Sequence, residues 1–110
     1  MILQGYIFKI GVFLTIEDII TVERIEKYLS LTTKARAIST PITKNKQDEE
    51  RLISMLNMCD DYTSDARHFM ESGSLVNAFG AINYAHAWID AAVKIGLLDG
   101  HGDDSLFTLP

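Results

Sequence analysis

Residues 47–96, QDEERLISMLNMCDDYTSDARHFMESGSLVNAFGAINYAHAWIDAAVKIG, decide the fold of this chain. In both halves of this stretch, apolar side chains recur at steps of three and four, the spacing of helices that bury one side. The buried seam of the first predicted helix, over about 47–72, consists of Leu52, Met55, Cys59, Tyr62, Ala66 and Phe69. Gly73 is suited to end that helix, and Ser74 to cap the next one. Because the link is so short, the two helices must run antiparallel.

The next predicted helix continues to about Ile95, with Gly96 as its stop, and it is apolar on two sides. One seam consists of Leu75, Phe79, Ile82, His86, Ile89 and Val93. The other consists of Ala78, Ala81, Ala85, Trp88, Ala92 and Ile95. A helix of this kind is usually the inner one of a bundle, or one that also meets another subunit.

Upstream, the pattern predicts a further helix over about 16–39, with Thr15 as its N-cap. Pro41 ends it, because proline disfavours helix in the residue before it. The polar connector 40–46 is long enough to let this helix run antiparallel to the next one. The chain therefore predicts an all-α fold, a three-helix up-and-down antiparallel bundle over 16–98, followed by a C-terminal tail over 99–110.

Both ends of the chain are apolar. Residues 1–16, MILQGYIFKIGVFLTI, are too short and too interrupted for a bilayer-spanning helix, and they lack the pattern of a secretory signal. We predict that residues 1–15 form an apolar N-terminal extension, helical or irregular. Two roles remain open for it: it adds apolar surface to the core or to a partner chain, or it is an extension from the choice of start site that the folded domain does not need. The end of the tail, Leu106, Phe107 and Leu109, is expected to fold back onto the bundle or to reach a partner. A cytoplasmic location is the default expectation.

Composition excludes several classes of protein. With 110 residues, of which 47% are apolar, the chain fits one globular domain rather than a disordered segment. The single cysteine can form neither an internal disulfide nor a thiolate zinc cage. A net charge of −5 argues against a general affinity for nucleic acid, and no membrane association is predicted.

Few residue patterns in the chain carry chemistry. His86 and Asp90 are four residues apart, so they share a helical face. A histidine that is oriented by a carboxylate can act as a general base. No nucleophile accompanies this pair, which favours a structural role for the histidine. Asp61, Asp65 and His68 also share a face, and a solvated acidic surface is the favoured interpretation. Phosphate-loop, dinucleotide and zinc-protease motifs are absent from the sequence, so no cofactor, metal or catalytic residue is predicted.

The segments YTSDA (62–66) and YAHAWID (84–90) carry a resemblance. Together they resemble a small archaeal family known only as domain of unknown function number 357, whose pattern is close to Y-x-S-D-A-[KR]-x-F-x-x-x-G-[DS]-x-x-x-A-x-x-x-x-x-Y-A-H-x-W-[IL]-D-A. The chain matches this pattern at Tyr62, Ser64, Asp65, Ala66, Arg67, Phe69, Gly73, Ser74, Ala78, Tyr84, Ala85, His86, Trp88, Asp90 and Ala91. Ala87 departs from it, since the family often shows glycine there. The resemblance covers roughly Ile16 to Leu98, and it implies a three-helix bundle and no established activity.

Two functions follow as hypotheses. The first is a non-enzymatic protein-interaction or scaffold module with a protein partner or a homo-oligomeric state, because the third helix and both termini are so apolar. The alternative is a small-molecule-binding or catalytic site in a concave pocket around the YAHAWID motif. Its predicted residues are Tyr62, Asp65, Tyr84, His86, Trp88 and Asp90. A nucleic-acid interface would need a single basic face, for which the candidates are Lys34, Arg36, Lys44 and Lys46.

Overall fold

A computed structural model describes residues 18–109 of the chain. Its elements, in chain order, are α1 (Val22–Ile38), β1 (Thr40–Pro41), α2 (Lys46–Glu71), α3 (Leu75–Lys94) and β2 (Leu98–Asp99). The helices run up, down and up, so the predicted all-α three-helix bundle is confirmed. The two short strands, which the sequence did not reveal, pair antiparallel and join the connector after α1 to the segment after α3. The predicted extension over 1–15 lies outside the described residues.

Helix α1 begins later than the sequence predicted. Its N-cap is Thr21, whose hydroxyl accepts a hydrogen bond from the Arg24 backbone N–H at 3.1 Å. The expectation of a start at Ile16 with Thr15 as the cap is therefore wrong. The local reason is a run of β-branched residues, Ile19, Ile20 and Thr21, whose stiff side chains lower helix propensity.

Glycine ends both α2 and α3 in the predicted way. Gly73 has a φ of +81° and Gly96 a φ of +84°, a conformation that glycine adopts without strain. After α2, the Ser74 backbone N–H donates to the Phe69 carbonyl at 2.8 Å, and the Gly73 N–H donates to Met70. These bonds satisfy carbonyls that a helix end leaves open. The tight turn sets α3 antiparallel to α2.

Helix α3 is the inner helix, because it packs against both α1 and α2, whereas those two contact each other little. Both of its predicted seams contribute fully buried side chains, including Ile82 and Ile89 from one and Ala78 and Ala85 from the other. The two apolar sides of α3 are thus covered within one chain, and Ile95, which remains 65% exposed, departs from the predicted seam.

The tail belongs to the same core. Leu106 and Phe107 are each 4% exposed and pack with the buried residues of the helices. The Phe107 ring lies so close to Gly100 that a Cβ added there would come within 2.7 Å of it. The apolar end of the chain therefore folds back onto the bundle, which is one of the two expectations raised by its sequence.

Candidate functional site

The six residues predicted for a ligand site separate into two groups on α3. Residues two apart on a helix do not share a face, so Tyr84 and Trp88 lie on one side and His86 and Asp90 on another. Tyr84 contacts Tyr62 of α2, whereas His86 contacts α1 and the tail. The predicted residues do not converge on one pocket.

The first group is an aromatic cluster. The rings of Tyr62 and Tyr84 meet edge to face with their centroids 4.5 Å apart, and those of Tyr84 and Trp88 meet in the same way at 6.0 Å. Such pairs stabilise packing by about 0.5–1.5 kcal/mol beyond their buried area. Tyr84 is 45% exposed, so the cluster reaches the surface at the α2–α3 boundary.

Asp65 joins neither group. It is exposed on α2, as are Asp61 and His68. Within residues 18–109, no group of three or more histidine, cysteine or acidic side chains is arranged to hold a metal ion.

His86 links three parts of the fold through both of its ring nitrogens. Nε2 lies 2.7 Å from the Leu106 carbonyl oxygen of the tail, and Nδ1 lies 2.9 Å from the Thr32 hydroxyl oxygen of α1. Because a carbonyl only accepts hydrogen bonds, Nε2 must carry the proton. In the neutral ring Nδ1 then accepts from the Thr32 hydroxyl. Neither nitrogen is left to take a proton from a substrate, which argues against a general base.

Asp90 holds the tail from the same side of α3. Its carboxylate oxygen Oδ1 accepts a hydrogen bond from the Thr108 backbone N–H. Further along the tail, Ser105 donates its hydroxyl and its backbone N–H to Asp103. The hydroxyl bond above all lowers the pKa of the Asp103 carboxyl, so this tail carries negative charge at neutral pH.

A cavity of about 290 Å³ lies between α1, α3 and the tail. It is lined by Tyr28, Leu31, Thr32, Ile82, Asn83, His86, Ala87, Asp90 and Ser105. We call it the His86–Asp90 cleft. Its combination of an apolar floor with a few polar groups is typical of small-molecule sites, and its volume lies near their lower limit.

Sequence reasoning missed four residues of this cleft that carry polar groups: Tyr28, Thr32, Asn83 and Ser105. Only Thr32 could have been found from the sequence. It lies between Leu29 and Ala35 at the spacing of core residues, and a buried hydroxyl needs a hydrogen-bond partner. Tyr28 and Ser105 lie far from the YAHAWID motif along the chain, and only the fold brings them to it.

A second cavity, of about 280 Å³, lies between α1 and α2. Arg36 donates two hydrogen bonds to the Asp60 carboxylate, at 2.9 and 3.1 Å, and this contact raises the pKa of the guanidinium. Arg67 donates to the Thr33 hydroxyl at 3.2 Å. Of the four basic residues that would form a nucleic-acid interface, Arg36 is therefore engaged by Asp60.

The surface of α3 differs from that of the other helices. The exposed residues of α3 before Lys94 are Val76, Asn77, Gly80, Asn83, Tyr84, Ala87 and Ala91. We call them the outer face of α3, and none of them is charged; the exposed Lys94 follows them on the same side of the helix, in its last turn. In contrast, α1 exposes Glu23, Glu26, Lys27 and Lys34, and α2 exposes an excess of acidic residues. Val76 is 74% exposed, so the outer face offers apolar area as well.

No helix within residues 18–109 is long and apolar enough to cross a membrane. Comparisons with curated proteins and with solved structures find no match to the chain. A family model does match, over residues 27–98, which include α2, α3 and most of α1. This match spans more than half of the chain, and it contains both segments that carry the resemblance seen in the sequence. The chain therefore belongs to the family described as "Protein of unknown function (DUF357)".

Proposed function

We propose that this protein is a non-enzymatic interaction module whose outer face of α3 binds the same face of a second copy. The observation that carries this proposal is a helix surface that exposes no charged side chain from Val76 to Ala91, on a chain whose net charge is −5. Exposed helix surfaces in a monomer are normally rich in charge, as those of α1 and α2 are.

Charge favours a second copy as the occupant. Two chains of the same net charge repel each other wherever their acidic surfaces meet. Two copies can meet through the outer face of α3 without this repulsion. A charged partner, in contrast, would find no opposite charge on this face with which to form an ion pair. Depletion of charge at the centre is also the compositional mark of protein interfaces.

The side chains suit a helix-to-helix contact. Gly80, Ala87 and Ala91 are small, so two α3 helices can approach to about 8 Å between their axes. Val76 and Tyr84 add larger apolar surface at the edges. A contact built from one helix per copy is at the small end of specific interfaces, which bury about 1,200–2,000 Å². We therefore expect a weak dimer that depends on protein concentration.

The test compares two alanine-to-glutamate substitutions, each at an exposed position in the last turn of its helix. Ala91→Glu places a carboxylate on the outer face of α3, whereas Ala37→Glu places one on the exposed surface of α1. Burying a carboxylate is costly unless it is paired, and the basic side chain nearest to position 91 on α3, Lys94, already donates to the Leu109 carbonyl. We expect Ala91→Glu to weaken dimerisation at least tenfold in sedimentation equilibrium, and Ala37→Glu to leave it within about twofold. A chain that stays monomeric at every concentration would refute the proposal.

A second candidate function, small-molecule binding, is favoured by the His86–Asp90 cleft. Of the six residues predicted from the sequence, His86 and Asp90 line it. Catalysis finds less support, because both nitrogens of His86 are engaged. Binding of a small molecule should shift the amide resonances of Asn83, Asp90 and Ser105 in a ¹H–¹⁵N spectrum. The amides of the Tyr62–Tyr84 contact should shift less, because that contact lies on another side of α3.

A further inference from the structure

We infer that the His86–Asp90 cleft binds a small organic cation, namely a primary ammonium group on a short apolar body. This inference rests on the second candidate function and names its ligand class. Three properties of the cleft support it: its charge, the direction of its open hydrogen bonds, and its size.

Asp90 sets the charge. It is the one aspartate, glutamate, lysine or arginine among the described residues that line the cleft. The Thr108 N–H engages Oδ1 of Asp90, and Oδ2 has no hydrogen-bond partner within residues 18–109. One carboxylate oxygen is therefore free for a ligand.

The neighbouring tail strengthens this preference. Asp103 accepts from Ser105, which lines the cleft, and Asp104 follows it directly. Two lysines oppose these carboxylates. Lys34 lies near enough to Asp103 to lower the pKa of its carboxyl, and Lys94 donates to the Leu109 carbonyl at 2.9 Å. Neither lysine lines the cleft.

The hydrogen bonds already made in the cleft leave mainly acceptors open. Asn83 donates one side-chain N–H to the Phe79 carbonyl at 2.9 Å, which leaves Oδ1 to accept and the second N–H to donate. Thr32 and Ser105 donate their hydroxyl protons to His86 and Asp103, so their oxygens are left as acceptors. An ammonium group supplies three donors and no acceptor, which matches this set. A carboxylate or phosphate ligand would meet mainly acceptors beside the negative charge of Asp90.

The rest of the cleft accepts an apolar body. Leu31, Ile82 and Ala87 line it together with the ring of Tyr28. A volume of about 290 Å³ is small for a ligand site. We therefore expect a body no larger than a single ring with a two-carbon arm.

The experiment titrates the full chain with three probes of similar size and monitors binding by ¹H–¹⁵N spectra, at a protein concentration where sedimentation finds monomer. The probes are phenethylammonium chloride, neutral 2-phenylethanol and anionic 3-phenylpropionate. We expect phenethylammonium to bind at least tenfold more tightly than the other two, with shifts at Asn83, Asp90 and Ser105.

A matched pair of variants locates the charge. Asp90→Asn keeps an oxygen that accepts from the Thr108 N–H but removes the charge, and Asp65→Asn makes the same change at an exposed position of α2. Ammonium binding should weaken at least tenfold in Asp90→Asn and stay within twofold in Asp65→Asn. Equal weakening in both variants would mean diffuse attraction and would overturn the inference. If Asp90→Asn loses its fold, the comparison of the three probes on the unaltered chain decides alone.

The remaining outcomes separate the two claims. If the alcohol or the carboxylate binds at these residues as tightly as the ammonium, the cleft is a binding site and the inferred cation is wrong. If none of the three probes shifts these residues, the cleft as a small-molecule site is refuted as well. Self-association through α3 is judged separately by Ala91→Glu.

Discussion

The hydrogen bond between Thr32 and His86 predicts that two similar substitutions in the core will differ in their effect. Thr32 and Thr63 are the buried polar residues within 18–109, at 1% and 8% exposure. Thr32 donates its hydroxyl across the bundle to His86, whereas Thr63 donates to the Cys59 carbonyl one turn earlier in its own helix, at 2.7 Å. Replacing either threonine with valine keeps its shape and removes the hydroxyl.

The expected cost follows from what each hydroxyl leaves behind. Thr32→Val removes a hydrogen bond, a loss of about 0.5–1.5 kcal/mol, and leaves Nδ1 of His86 without its donor, which costs about 1–3 kcal/mol in a fully buried site. Because His86 is half-buried, water can compensate part of this second cost. We expect a total of about 1–2 kcal/mol. Thr63→Val leaves no acceptor unpaired, since the Cys59 carbonyl keeps its helical partner, and should cost less than about 0.5 kcal/mol.

Urea unfolding followed by circular dichroism measures both values, and thermal unfolding checks them. For a domain of this size, 1 kcal/mol corresponds to about 4–8 °C in Tm. A double-mutant cycle with His86→Leu should give a coupling energy of about 1 kcal/mol for Thr32 and none for Thr63. Equal destabilisation by the two valine substitutions, within about 0.3 kcal/mol, would refute the link that we assign to His86.

Two further predictions concern Gly73 and Cys59. Gly73→Ala forces alanine into a φ of +81° with nothing within 4 Å of the new Cβ, so it should cost about 1–2 kcal/mol by urea unfolding. The exposed helical Gly80 is the control, since Gly80→Ala should stabilise by about 0.5–1 kcal/mol, and a loss there would contradict the reasoning. Burial raises the pKa of the Cys59 thiol, so it should react slowly with iodoacetamide until the chain unfolds. In the unfolded chain the thiol ionises near pH 8.5, and in the folded chain at a higher pH. The stabilisation by the buried neutral thiol is therefore present below about pH 8.5 and is lost as the pH rises above it. An alkaline titration of the free energy of unfolding that lacks this loss would contradict the assignment.

The helices and their ends could be predicted because their signals are local. The seam residues Ile82 and Ile89 repeat at helical spacing. Gly96 stands directly after the last seam residue of its helix, and Gly73 follows soon after Phe69, the last seam residue of the helix before. The start of α1 was missed because apolar residues continue upstream of Thr21 and conceal the cap.

The candidate site could be predicted only in part. Tyr84 and His86 are close in sequence, but helical geometry puts them on different sides of α3, and the motif was treated as one cluster. The partners that define the cleft are remote: Thr32 lies 54 residues from His86, and Leu106 lies 20 residues from it. Contacts across such distances leave no periodic pattern, so Tyr28 and Ser105 became visible only once the chain was folded.

The hydrophobic core of this protein extends beyond the segment that defines the family. The family match ends at residue 98, but Leu106 and Phe107 fill the core beyond it. Burying two such side chains is worth about 3–6 kcal/mol, a large share of the 5–15 kcal/mol that holds a typical domain together. The family match therefore spans less than the unit that folds together, and a chain cut at Leu98 would keep every residue of the match while losing one wall of its core.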